Sequence, residues 1–246
     1  MRKTTTSVGT GAAAGFAALT LVYLLALLTT MARGLPFPPP APYSTIFHLV
    51  NLLVPIMAVP LWVAMHLAAP PAKQALTLTS LLFVTLCALL VPTNRFVALT
   101  MVAQSEDLGR TAGLEWFQPY GWPSLMFSFE LLGWGVFFSL ACLFQALAFR
   151  SPDPTPRPST DRPLRSHGTR PARLEQMIAV TFTITGLVGL IGGAGGLLIG
   201  STDLMGLVAP VAWGLGPVTA AVLVLVWLRR GDLSRSSDRP LEQQAA

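Results

Sequence analysis

Residues 125–149 read LMFSFELLGWGVFFSLACLFQALAF, and Glu130 is the one charged side chain among them. A helix crosses the hydrocarbon core of a bilayer with about 20 mostly apolar residues, so a run of this kind spans a membrane. Backbone N–H and C=O groups in lipid find no water to bond, which makes the run a helix and not a lone strand. The same reading applies at 10–31, 46–69, 74–92, 177–199 and 204–228. The sequence therefore predicts an all-α fold, a polytopic membrane bundle of six transmembrane helices filling residues 1–228. Pro55 and Pro60 in the second span, and Pro210 and Pro217 in the sixth, predict kinks, because proline removes a backbone donor.

Composition points the same way. Of 246 residues, 52% are hydrophobic and 11% charged, with a mean hydropathy of +0.60; a soluble domain carries about 25% charged residues. That excludes a plain soluble enzyme, and the apolar excess excludes a disordered chain.

Six spans leave both termini on one side, together with the 70–73 turn and the 150–175 loop. All but three of the 16 lysines and arginines fall there, the exceptions being Arg33, Arg95 and Arg110. The positive-inside rule assigns that side to the cytoplasm. Both termini are then cytoplasmic and the 92–124 loop faces outward. Met1-Arg2-Lys3 before an apolar run, with Thr30-Met31-Ala32 after it, also resembles a secretory signal and its cleavage site. The run is longer than a signal core and five more spans follow, so it is read as retained.

The 150–175 loop alternates proline with arginine, a composition that stays extended and solvated. The 229–246 tail is also polar and is read as a disordered cytoplasmic tail. These segments account for the pI near 9.9; the bilayer, not nucleic acid, is the partner they imply. In the outer loop, NRFVALTMVAQ (94–104) is apolar enough to prolong the third helix past Pro92 or to lie along the interface. Farther on, EWFQPYGWPS places Trp116, Phe117, Tyr120 and Trp122 close together, as an aromatic belt at the headgroups or a lid over an outward pocket.

Patterns for nucleophilic, zincin, redox-dithiol and P-loop chemistry are absent, and no cofactor or metal is implied. The glycines around position 193 follow no strand and precede no Lys-Ser/Thr. Gly189, Gly193, Gly196 and Gly200, with Thr181 and Thr185, instead form one small-residue face at helical spacing, which lets another helix approach closely. Cys87 and Cys142 fall at depths roughly 15 Å apart by helical rise, too far for a disulfide. His48 and His66 stand about 27 Å apart along one helix and cannot share a metal; His167 lies in the polar loop.

Glu130 carries the most information. A carboxylate inside a span is costly unless it is paired, protonated or open to water. The second and fourth helices both start outside and the third ends there. His48, Asn51, Asn94, Arg95 and Glu130 thus fall at one depth, as an outward-facing polar cluster that is either a ligand-binding site or a buried pair fixing helix register. Trp134 and Gln145 prolong the Glu130 face inward.

The stretches NRFVALTMVAQ and MFSFELLGWGVFFSLACLF (126–144) resemble an uncharacterised family of bacterial six-span integral membrane proteins. The resemblance implies a bacterial inner-membrane protein with six helices and brings no substrate, cofactor or catalytic residue. Three functions fit the residues. A non-enzymatic protein could bind or pass a small solute or lipid at the polar cluster. An accessory or sensory subunit could pack its glycine-rich fifth helix on a membrane-protein partner or a second copy. An intramembrane enzyme could act on a lipid or quinone with Glu130 as acid/base and His48 assisting.

Overall fold

The computed structural model describes residues 2–36, 38–118, 120, 123–150, 170–195 and 211–237. Most of those residues are helical, with no strand among them, and six helices are long and apolar enough to cross a membrane. Helix α1 is Arg2–Ala32, α2 is Tyr43–Ala68, α3 is Pro71–Asp107 and α4 is Leu125–Arg150. Helix α5 runs through Arg170–Leu190 into Ile191–Gly195, and α6 through Val211–Leu215 into Gly216–Ser237. Each helix packs on its neighbours in the chain and α6 packs back on α1, closing a ring.

Local chemistry sets the helix ends. Helix α1 stops where Gly34 takes φ +61°, its N–H bonding Met31 O at 3.0 Å while Leu35 N bonds Thr30 O at 3.0 Å. This double bond satisfies carbonyls the helix leaves open. Gly109 ends α3 in the same way, with Arg110 N on Ser105 O at 2.8 Å. Pro70 and Pro71 break α2 from α3, and Pro71 begins the next helix where its missing N–H is harmless. Ser124 caps α4, its Oγ accepting from Phe127 N at 3.0 Å.

Several boundaries differ from the sequence reading. Of the two readings of NRFVALTMVAQ the structure takes the longer helix, since α3 runs past residue 92 to Asp107 with Pro92 inside it. Pro92 removes only its own N–H from the ladder, and the helix runs continuously through it. Pro55 and Pro60 also sit inside an unbroken α2. The first part of the polar tail is helical, since α6 continues past Leu228 to Ser237. Pro210, Trp122, His167, Gly196, Gly200 and the stretches 151–169 and 238–246 lie outside the described residues.

Trp62 is the hub of the core at 2% exposure, meeting Phe16, Phe138 and Phe182 from α1, α4 and α5 at ring distances of 6.4, 5.9 and 5.7 Å. Its Nε1 donates to Ser80 Oγ at 2.7 Å, and Ser80 donates onward to Ala141 O at 2.6 Å. This short relay pins three helices at one height. It also puts Cys142 at the level of Ser80, about 10 Å below Cys87 by helical rise; both thiols are free and buried.

The outer faces are as apolar as the core. Leu78, Leu82, Leu86 and Leu89 on α3, and Met177, Val180, Ile184, Leu187 and Ile191 on α5, are all exposed. Stripes of this extent would be unstable in water and suit lipid. Where lipid surrounds a bundle, packing draws on close approach of small residues. A Cβ on Gly186 would stand 2.8 Å from Ser139 O, one on Gly189 would strike Ser139 Oγ, and one on Gly193 would strike the Gly135 backbone. The described part of the glycine face of α5 is therefore spent on α4 of the same chain.

Candidate functional site

The site forms where α3 and α4 run antiparallel towards the 108–124 loop. The pairs Asn94–Met126 and Ser80–Ala141 set the register of these helices. The pairs His66–Thr77, Trp62–Ser80 and His48–Arg95 set that of α2 and α3. These registers bring His48, Asn51, Asn94, Arg95 and Glu130 to one level.

Arg95 is 0% exposed and Glu130 8%. The guanidinium Nη2 donates to Glu130 Oε1 in an ion pair. Asn94 Nδ2 donates to Glu130 Oε2 at 2.8 Å and to Met126 O at 2.9 Å, the second bond tying α3 to the first turn of α4. Both carboxylate oxygens thus have donors. Arg95 Nη1 stands 3.4 Å from His48 Nδ1. Directly after Glu130, α4 widens into a π-helical stretch, Leu131–Phe138. There Gly133 admits Val91, whose Cγ2 would be 2.6 Å from a Cβ at that glycine. The close α3–α4 approach that lets Asn94 and Arg95 reach Glu130 rests on this missing side chain.

The 108–124 loop supplies a residue that hydrophobic patterning does not single out from its aromatic neighbours. Tyr120 folds inward and lays its ring over Arg95, 4.4 Å from Cζ, and 5.5 Å from the His48 ring. A guanidinium over an aromatic face is attracted by roughly 0.5–2 kcal/mol, more as water is excluded. The ring also packs with Tyr23 against Ala26, Leu27 and Phe47. Asn51, buried, faces the Tyr120 hydroxyl. Burial pushes the phenol up to about 12; the Arg95 charge and the Asn51 bond oppose that shift and the Glu130 charge adds to it. Trp116, in contrast, is 58% exposed. The loop therefore divides its aromatics, one ring to the site and one outward.

Two buried polar atoms in the cluster, Arg95 Nε and Asn94 Oδ1, have no hydrogen-bond partner among the described residues. Trp134 lies against Phe138 at 5.1 Å one turn below the pair. Gln145 does not share the site, since it lies roughly 22 Å further along α4. Among the described residues no group of three His, Cys, Asp or Glu side chains could hold a metal ion.

The chain matches no family model, no curated protein and no solved structure. What the site does has to follow from its own chemistry: it holds one desolvated cation, one carboxylate with both oxygens bonded, and a tyrosine that covers them.

Proposed function

We propose that this is a multi-pass protein of a bacterial inner membrane, with cytoplasmic termini, that binds or passes a small polar solute or lipid at the Arg95–Glu130 cluster without chemical conversion. The observation that carries the reading is the fully buried Arg95 under Tyr120, with one spare donor (Nε) and one spare acceptor (Asn94 Oδ1) beside it. A buried polar atom without a partner costs about 1–3 kcal/mol, and a ligand with a matching acceptor and donor recovers that cost. Tyr120 is then the lid. The orientation follows from the distribution of Lys and Arg.

The other two readings gain less. An acid/base catalyst needs an oxygen free to reach a substrate proton, and those of Glu130 are taken by Arg95 and Asn94. A subunit docking through Gly189 and Gly193 would need a face that α4 already covers.

The test is chemical analysis of what the purified protein carries. Wild type should release a polar small molecule or lipid that is missing from a folded Arg95→Met/Glu130→Met protein. An identical profile from both proteins would end the proposal. Labelling of Trp116→Cys, at an exposed position of the 108–124 loop, in intact cells by a membrane-impermeant maleimide should succeed; protection there with labelling in inverted vesicles would reverse the orientation.

A further inference from the structure

At the end of the bundle away from Arg95, a cavity of about 160 Å³ is bounded by Lys73, Thr77, Gln145, Phe149, Glu175 and Trp227. One water needs only about 10–15 Å³, while drug-sized sites run to roughly 300–1,000 Å³. The space suits a small molecule or one end of a larger one. Its walls come from helix ends: Lys73 from the α2–α3 turn, Phe149 from the end of α4, Glu175 from the first turns of α5 and Trp227 from α6. That is the depth at which lipid headgroups sit.

The chemistry of an occupant follows from which polar groups of the wall are already used. Lys73, 8% exposed, is engaged within the chain. Thr77 Oγ1 meets His66 Nδ1 at 2.8 Å and donates to the Gln74 carbonyl at 3.2 Å. Trp227 Nε1 donates to Glu175 Oε1 at 3.3 Å. Two acceptors have room for more. Gln145 is 2% exposed, and its Oε1 has no partner among the described residues. Glu175 is half-buried, and a carboxylate accepts about four hydrogen bonds, more than the indole supplies. A buried acceptor left bare costs free energy that a donor recovers, so the wall calls for donors.

Those donors are best uncharged. A cation brought to Glu175 would share the space with the Lys73 ammonium, and an anion would meet the Glu175 carboxylate; like charges at such range repel strongly where water is scarce. A hydroxyl donates with no charge of its own, and two hydroxyls serve two acceptors. Met65, Ala68 and Ala148 give the cavity an apolar floor, which suits the carbon side of a short polyol.

We propose that this cavity binds a vicinal diol, the glyceryl group, either as free glycerol or as the terminal diol of a phosphoglycerol lipid headgroup whose phosphate stays outside. One hydroxyl donates to Gln145 Oε1 and the other to the Glu175 carboxylate. The inference is independent of the Arg95 cluster.

The experiment uses the full-length protein purified without glycerol, and each diol is paired with a partner that lacks only the hydroxyls. In phosphatidylcholine nanodiscs, phosphatidylglycerol is compared with phosphatidylpropanol, of equal charge and length, by native mass spectrometry. In detergent, glycerol is compared with 1-propanol and with ethanolammonium by saturation-transfer NMR. The diol should bind saturably and about tenfold or more tighter than its hydroxyl-free partner, as expected for loss of one neutral and one charge-assisted hydrogen bond. Gln145→Leu should weaken diol binding roughly threefold or more while melting no lower than wild type, since the side chain it removes holds a bare buried acceptor. A diol preference for glycerol identifies the free ligand, and one for phosphatidylglycerol alone identifies the headgroup; either supports the site. No diol preference in both comparisons overturns the proposal, as does tighter binding of ethanolammonium than of glycerol, or wild-type affinity in a folded Gln145→Leu. The paired-ligand comparisons are made on wild type and do not depend on a variant folding.

Discussion

The two ends of this bundle use buried polar groups in opposite ways. At the Arg95 end the charges are paired, bonded to three helices and roofed by Tyr120. At the Lys73 end, charges of both signs stand around an open space of about 160 Å³. Taking an ion out of water costs several kcal/mol, so a buried charge persists only with a partner of good geometry. The Arg95 end meets that requirement inside the chain. At the Lys73 end, Lys73 is as buried as Glu130 and is also engaged within the chain, while Glu175 is half-buried, where solvent reaches it. The first end is therefore rigid by necessity and the second is adaptable.

The largest effect should separate the ends outright. Glu130→Ala leaves the Arg95 charge buried and alone, and should cost about 3–5 kcal/mol. Glu175→Ala, at a half-buried ion, should cost about 0–1 kcal/mol. Denaturation of both variants in one detergent checks this, and similar losses would erase the distinction. Next in size comes the helix contact that supports the rigid end. Gly193→Val must push the α4 backbone at Gly135 and should cost roughly 1–3 kcal/mol by overpacking. Gly195→Val, with open space at its Cβ, is the control and should melt close to wild type.

Smaller again is the lid. Tyr120→Leu keeps much of the apolar bulk but loses the ring over Arg95, and should cost about 0.5–2 kcal/mol. A loss no larger than that of Trp116→Leu would show that the ring is only a belt residue. At neutral pH the last effect is silent, and it shows only in strong base. The Tyr120 phenol is raised from 10.0 to about 12, so folding favours its protonated form. That contribution is complete below pH 10 and is lost as pH rises from 10 through about 12. A tyrosine absorbance titration of Tyr120→Phe should lack one of the late-ionising phenols of wild type.

Much of this was legible in the sequence, because charge in a membrane is so costly. Glu130 stood alone in its span, and counting residues from the span ends brought His48, Asn51, Asn94 and Arg95 to its level before any contact was known. The six helices followed from the same cost. Three features were not legible, each for a physical reason. The apolar run after Pro92 fitted a longer helix and an interfacial segment equally, and only the structure shows that α3 goes on to Asp107. In the 116–122 segment every aromatic suits an interface, and only the fit against Ala26, Leu27 and Phe47 turns Tyr120 inward. The Lys73 cavity draws its polar residues from four separate helix ends, each of which in sequence is an ordinary polar residue at the edge of a span.

The central claim is that the Arg95–Glu130 pair serves a ligand and does more than hold helix register. Arg95→Met/Glu130→Met tests it most directly, since a buried ion pair exchanged for apolar side chains of similar size is often neutral or stabilising, by up to about 4 kcal/mol. This protein should melt no lower than wild type and should lack the polar molecule that wild type carries through purification. A double variant that folds equally well and still carries that molecule would contradict it.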